Sequence, residues 1–343
     1  MPNNLTSTPY FMTVKNPFIP PRHLRNPHIQ SILNSLGPRK VRAKRLIRAL
    51  DSESLILTTE EGVRLKAEFD LTTASKAPPK NALVILLHGW EGSSKSAYQV
   101  TTAAWLLDHG FDVLRLNLRD HGETQHLNRD IFNSTMTAEV ADAIAVFLEG
   151  HGYPMVFLAG FSLGGSFALR IAADKGEALG LKAAVAISPP IDPNTTMTAM
   201  DNTLVIYEKY FFYRWTKSLR KKLFYFPEHN FGTELNQAKT LDDMNVSFLP
   251  KFTPFSDAKS YFAAYALSGD RLKALTIPAH LIAAVDDPII PIADIEKINR
   301  PESLEIEIQP YGGHCGFIKN LAAHSWVESR LVEILDGYLA NPS

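Results

Sequence analysis

A serine between two glycines, Gly160-Phe161-Ser162-Leu163-Gly164, follows the apolar run Met155 to Ala159 and precedes a small-residue stretch from Gly165 to Ala173. That pattern predicts strand, tight turn, helix, because only residues without a Cβ tolerate such close backbone packing. The serine side chain then projects from the top of a sheet with a helix N-terminus aimed at it. A serine hydroxyl is too weak an acid to attack a carbonyl unaided. It needs a base within hydrogen-bond reach and a third group to orient that base.

Both partners are expected later in the chain, acid before histidine, each just past a strand. The acid is offered by Val285-Asp286-Asp287-Pro288-Ile289-Ile290-Pro291 and the base by His314 in Tyr311-Gly312-Gly313-His314-Cys315-Gly316-Phe317. The doublet leaves Asp286 and Asp287 both open; Asp287 is preferred for its Asp-x-x-x-Pro spacing into a following helix, with Asp286 a turn residue beside it. The negative oxygen of a tetrahedral intermediate needs two backbone N–H donors. Leu163, next after the nucleophile, is one. Trp90, in His88-Gly89-Trp90-Glu91-Gly92, is the other. Arg119-Asp120-His121-Gly122, even with His126 and Asp130, matches no compact metal-ligand spacing and reads as a polar loop at the rim. Cys315 sits in no elbow.

The elements that must carry these residues form a regular series. Leu55 to Leu71, around Glu60-Glu61-Gly62, reads as a β-hairpin, and Thr72 to Lys80 as a polar linker. Strands over Ala82–Leu87, Asp112–Leu118, Met155–Ala159 and Ala183–Ile187 alternate with helices over Tyr98–His109, Met136–Glu149 and Gly165–Ala173. Continuous apolar strands in β-α alternation call for a mostly parallel central sheet with helices on both faces, an α/β fold. Ligands in such sheets bind beyond the carboxyl ends of the strands. After Ser188-Pro189-Pro190 the alternation stops for about eighty residues. It resumes with strands at His280–Ala284 and Leu304–Ile308 and helices at Ile292–Asn299 and Ser325–Leu339. The interruption contains Thr203 to Phe226, with Leu204, Tyr207, Tyr210, Phe211, Phe212, Trp215, Leu219 and Phe224 at helical spacing beside Arg220-Lys221-Lys222. It reads as an inserted helical lid. The domain plan is then an extension over 1–49 packed on the core, a core of 50–191 and 272–343, and a lid insertion over 192–271.

With 343 residues, 45% hydrophobic and 21% charged, the chain is of globular composition, and its net charge of -1 gives no hint of a nucleic-acid partner. One cysteine excludes an internal disulfide framework and a cysteine-rich metal site. No apolar run reaches the ~20 residues that span a bilayer, and the proline-rich start has no secretory-signal pattern, so a cytoplasmic location is expected.

Taken together, the elbow, the His88-Gly89-Trp90-Glu91-Gly92-Ser93-Ser94 loop, Val285-Asp286-Asp287-Pro288 and Gly312-Gly313-His314-Cys315-Gly316-Phe317 resemble the α/β-hydrolase superfamily. More narrowly they resemble the YheT-like group of bacterial hydrolases and its plant and animal relatives. Asn26-Pro27-His28-Ile29-Gln30 is similar to that group's N-terminal region. The resemblance implies an α/β-hydrolase fold and carboxylic ester hydrolysis, in some relatives of acylglycerols or phospholipids, without a cofactor or metal. It carries the nucleophile onto Ser162, the acid onto Asp287 and the base onto His314. Asp120 departs from the Arg-Gly-x-Gly of many superfamily members, and the membrane anchor that animal relatives carry is not expected here. The expected activity is that of a serine esterase acting on small-molecule esters with an apolar, short- to medium-chain acyl group. One alternative is a membrane-associated lipase or phospholipase that binds through Thr203–Phe226. Another is a non-catalytic ligand receptor on the same fold. Oligomeric state is not legible.

Overall fold

The computed structural model describes residues 17–72 and 77–340. The first sixteen residues of the predicted extension, four residues of the linker and residues 341–343 lie outside that range. Two helices open the described chain, α1 (Pro27–Ser35) and α2 (Gly37–Ala49). The Asn26 side chain accepts the His28 and Ile29 N–H groups, and Pro27 needs no acceptor at the first helical position, so α1 starts where it does. The hairpin follows as β1 (Glu53–Thr58) and β2 (Arg64–Asp70), antiparallel.

From there strand and helix alternate: β3 (Ala82–Leu87), α3 (Ala97–Asp108), β4 (Asp112–Leu116), α4 (Thr137–Glu149), β5 (Met155–Phe161), α5 (Leu163–Lys175) and β6 (Leu181–Ile187). Six helices come next: α6 (Pro193–Asn202), α7 (Val205–Tyr225), α8 (Gly232–Gln237), α9 (Leu241–Ser247), α10 (Leu249–Phe252) and α11 (Ala258–Tyr265). Side-chain caps begin several of them, with Asp192 on Asn194 N–H, a Thr240/Asp243 capping box, and Asp257 on Ser260 N–H. β7 (Ala279–Ala284), β8 (Leu304–Gln309) and α12 (Trp326–Ala340) complete the chain.

The eight strands form one sheet in the order β1-β2-β4-β3-β5-β6-β7-β8, parallel from β4 through β8 and antiparallel at the β1-β2 edge. Successive residues of β3 serve opposite faces. Leu83, Ile85 and Leu87 pack with Val140, Ile144 and Phe147 of α4 and Phe167 of α5. Ala82, Val84 and Leu86 pack with Leu106 of α3 and Leu331 and Leu335 of α12. A strand covered on both sides has no polar face to alternate with, hence its unbroken apolar run. One predicted helix is corrected: Ile292–Asn299 is a short 3-10 helix, Ile292–Lys297. Its Asp294–Lys297 ion pair, 2.9 Å at i,i+3, suits three residues per turn, where those positions eclipse.

Candidate active site

The backbone fixes the elbow before any side chain acts. Ser162 sits at φ 52° and ψ -122° between β5 and α5, a left-handed conformation that a serine keeps only where its surroundings over-determine it. A Cβ on Gly160 would lie 2.0 Å from the Gly164 oxygen, and one on Gly164 would lie 2.4 Å from the Leu87 oxygen. Glycine is therefore required at both, and the end of β3 can press against the first turn of α5.

Ser162 Oγ and His314 Nε2 are 2.9 Å apart, and His314 Nδ1 stands 2.9 Å from Asp287 Oδ2. With Nδ1–H given to a carboxylate, Nε2 is left to accept from the hydroxyl. Asp287 Oδ1 accepts the Ile289 and Ile290 N–H groups at 2.8 and 2.9 Å, which holds the carboxylate still. Asp286 instead accepts Gly313 N–H at 2.9 Å, and burial above all pushes its carboxyl up to about 6. Of the two acids left open by the sequence, Asp287 reaches the imidazole and Asp286 holds the histidine's loop.

Burial disfavours the His314 imidazolium, but the adjacent Cys315 sulfur and the Asp287 carboxylate outweigh it, so His314 is held well above the ordinary histidine range. Asp287 is the dependable cause, because Cys315 is buried and gives its S–H to the Ile187 carbonyl at 3.6 Å. A carboxylate accepting Nδ1–H stabilises the charged ring directly.

The extension contributes what sequence reasoning missed. Ser31, on α1, accepts the His314 N–H at 2.8 Å. Gln30, fully buried, donates to the Leu24 and Ile318 carbonyls at 2.7 and 3.2 Å and accepts Ile318 N–H at 2.6 Å. Gly313, at φ +52°, lets that loop approach α1, since a Cβ there would lie 2.4 Å from the Pro27 oxygen. The signal was present in Asn26-Pro27-His28-Ile29-Gln30, but nothing local says what a buried glutamine pairs with.

The loop after β3 is clamped by His88, which Nδ1 joins to the Gly89 carbonyl at 2.8 Å while Nε2 accepts Leu118 N–H at 3.1 Å. Burial, then the neighbouring His121, push His88 down to about 3, so it is neutral. Trp90 stacks on Phe211 of α7, ring centroids 5.2 Å apart, and meets Trp215 edge-on at 5.5 Å. Arg214 of the same helix donates to the Glu91 carbonyl at 2.6 Å. Burial lifts the Glu91 carboxyl up to about 7, which keeps it from adding a full negative charge beside this loop below that pH. Among the described residues, no acceptor takes the N–H of Trp90 or of Leu163.

The rim reading of Arg119-Asp120-His121 is corrected, because all three are buried. Arg119 pairs with Glu139, and Asp120 with Lys222 of α7 at 2.8 Å. A lysine that enters from the inserted helices needs a counter-ion, and Asp120 supplies it. The basic run of α7 is thus engaged within the chain: Lys222 is buried, Lys221 pairs with Glu123, and Arg220 donates to Asn236 at 3.0 Å. Among the described residues, no cluster of His, Cys, Asp and Glu could hold a metal ion, and no helix is long and apolar enough to cross a membrane.

A cavity enclosing about 100 Å³ opens on Ser162 and His314. Core residues Trp90, Phe132, Leu163 and Ile289 line one side, and Met197, Met200, Phe211, Trp215, Phe248 and Tyr265 of the insertion line the other.

A nucleophile elbow at the carboxyl edge of a mostly parallel sheet, facing a histidine and an acid from later strand ends, defines the α/β-hydrolase class. The sequence profile of the α/β-hydrolase fold matches residues 82–321, and the chain belongs to that family. Within it the chain is similar to YheT of Escherichia coli strain K12, 26% identical over 339 residues that cover 94% of each chain. It is also 26% identical to an Abhydrolase domain-containing protein of Dictyostelium discoideum, over 95% of this chain and 83% of that one. An esterase of Pyrococcus furiosus shares the fold with a TM-score of 0.57 at 18% identity, over 86% of this chain and 93% of that chain. The YheT-like resemblance therefore extends along nearly the whole length.

Proposed function

We propose that the protein is a serine hydrolase of carboxylic esters with short- to medium-chain acyl groups. One observation carries the reading: a relay of two 2.9 Å contacts, Asp287 to His314 to Ser162, placed on a strained elbow. His314 takes the Ser162 proton as Oγ attacks the ester carbonyl, and Asp287 steadies the imidazolium that forms. The Trp90 and Leu163 N–H groups, otherwise without acceptors, receive the oxyanion. His314 protonates the leaving alcohol, then activates the water that frees the acid from Ser162. No step calls for a cofactor.

The insertion acts as the lid, and its aromatic and methionine side chains make an apolar acyl site. About 100 Å³ is comparable with cavities that take a benzene-sized group, which favours short chains over long ones. In this reading 1–49 is an extension whose described part, residues 17–49, braces the histidine loop, 50–191 and 272–343 are the catalytic core, and 192–271 covers it.

The test is hydrolysis of p-nitrophenyl esters from acetate to palmitate by wild type and Ser162→Ala, with a fluorophosphonate label read by intact mass. Turnover peaking at short or medium chains, with turnover and label both lost in the variant, is expected. Absence of turnover and label from wild type overturns the mechanism, and a label that survives in the variant moves the nucleophile elsewhere.

A further inference from the structure

Charge is divided unevenly along the chain. Residues 1–50 hold nine Lys and Arg and no Asp or Glu, whereas the remainder holds 26 against 36. Such asymmetry marks a contact with a polyanion or a membrane surface. Of the six Lys and Arg on α2, Arg39 is buried against Glu328 and Arg42 pairs with the same carboxylate, whereas Lys40, Lys44, Arg45 and Arg48 are exposed and make no ion pair or side-chain hydrogen bond among the described residues. Lys44, Arg45 and Arg48 share one helical face with the exposed Val41.

A second observation says what kind of surface this is. Ile29 and Ile32 fall at i and i+3 on α1, Leu36 follows in the extended link to α2, and Ile206, Tyr210 and Tyr213 fall at i, i+4 and i+7 on α7; each is between 38% and 60% exposed. The two helices adjoin, because His28 Nδ1 lies 3.1 Å from the Tyr207 hydroxyl. Leu36 links α1 to α2, and the two helices pack on each other, so the exposed cations of α2 lie close to the apolar side chains of α1 in the chain. Half-exposed isoleucine, leucine and tyrosine side chains near unpaired cations suit an interface with apolar depth and anionic headgroups. They do not suit a nucleic acid, whose backbone offers the aliphatic side chains nothing.

We propose that the outer faces of α7, α1 and α2 together form a docking surface for an anionic lipid bilayer. The surface borders the site: Phe211, next to Tyr210, lines the cavity, and Ser31 between the α1 residues holds His314. Ester dissolved in or leaving a membrane would then meet the cavity without crossing bulk water. The docking does not rest on the hydrolase reading, since it is measured without turnover.

The experiment is co-sedimentation of the full chain with vesicles of phosphatidylcholine alone and of phosphatidylcholine with phosphatidylglycerol, at low and high salt. Preferential capture by the anionic vesicles, weakened by salt, is expected. The triple variant Lys44→Glu, Arg45→Glu, Arg48→Glu should lower the partition by about 100-fold or more, each lost cation contributing about fivefold. Ile32→Ser with Tyr210→Ser should remove the capture that survives at high salt. Thermal melting and far-ultraviolet circular dichroism establish that both variants fold. No capture of wild type, or capture unchanged in the folded charge variant, overturns the proposal. So does double-stranded DNA or RNA bound as tightly as the vesicles at the same salt. A wild-type dimer in sedimentation velocity that falls apart in the Ile32→Ser, Tyr210→Ser variant assigns the face to a second copy instead.

Discussion

Ser162 and His314 stand 2.9 Å apart, yet the molecule holds them by different means. Ser162 is fixed by the sheet itself: its strand is central, its flanking glycines admit the end of β3, and its N–H donates to Ile187 O at 2.8 Å. His314 lies in a loop past an edge strand and is held from outside the sheet, by Asp286, by Ser31 and by the two-way bonding of Gln30 to Ile318. The loop bearing Trp90 is intermediate, clamped by His88 from within and by Arg214 of α7 from without. One side of the site is built by neighbours in the fold's own series of strands. The other depends on segments added before and inside that series.

The comparison breaks first if the sheet side tolerates a change in shape. Gly160→Ala sets a Cβ 2.0 Å from the Gly164 oxygen, in backbone that cannot yield, and is expected to cost more than about 4 kcal/mol and leave little soluble protein. Gly152→Ala, where a Cβ meets nothing within 4 Å, is the matched control and should leave the urea midpoint nearly unchanged.

Chemistry comes next in size. Asp287→Asn keeps the shape but removes the charge that orients and stabilises His314, and kcat should fall by about 10³- to 10⁴-fold. Asp286→Asn should stay within about tenfold, because its role is to accept one loop N–H. The pH profile separates them further. In the proposed mechanism His314 acts as base and must be neutral, and its value is raised, so kcat/KM of wild type should fall with acid through a point above the ordinary histidine range. Without the Asp287 charge the imidazolium is less favoured, and that fall should move to lower pH. A fall that stays put in Asp287→Asn would show that another charge controls the ring.

The same division explains what the sequence disclosed. Strands β3 through β8 and the Ser162 elbow are short-range patterns, unbroken apolar runs and glycine spacing, and each is readable in a window of a dozen residues. Gln30 to Ile318 spans 288 residues and Asp120 to Lys222 spans 102, and neither leaves a local trace. A buried aspartate at a strand end looks like a rim residue until its lysine arrives from the insertion. Spacing to Pro291 favours Asp287 over Asp286, but which of the two carboxylates meets the ring carried by the Gly312-Gly313 turn is a matter of three dimensions. The 3-10 helix at Ile292 was misread because apolar spacing over six residues does not distinguish three residues per turn from 3.6.

The insertion's tether is a third test. Lys222→Met strands Asp120 as a buried, unpaired carboxylate and should cost about 3–5 kcal/mol in chemical denaturation. Adding Asp120→Asn should recover most of that loss. If the single and double variants are equally unstable, the lysine's bonds to the Asn128 and Asp130 carbonyls and the packing of its stem, rather than the ion pair, hold α7 to the core.

The smallest expected effects are the most specific to the histidine side. Gln30→Leu keeps the volume but deprives Ile318 N–H and two carbonyls of their partner, and should cost about 1–3 kcal/mol in all. Ser31→Ala removes one acceptor, the one that takes the His314 N–H, and should cost about 1 kcal/mol in stability. On the proposed mechanism both should lower kcat with little change in KM, because the cavity would still bind the ester while the base is misplaced. Fluorophosphonate labelling of Ser162 should slow in parallel, since the same base activates the hydroxyl toward the reagent. If Ser31→Ala loses stability but labels at the wild-type rate, α1 is a brace for the fold alone, and the two sides of the site are held independently of it.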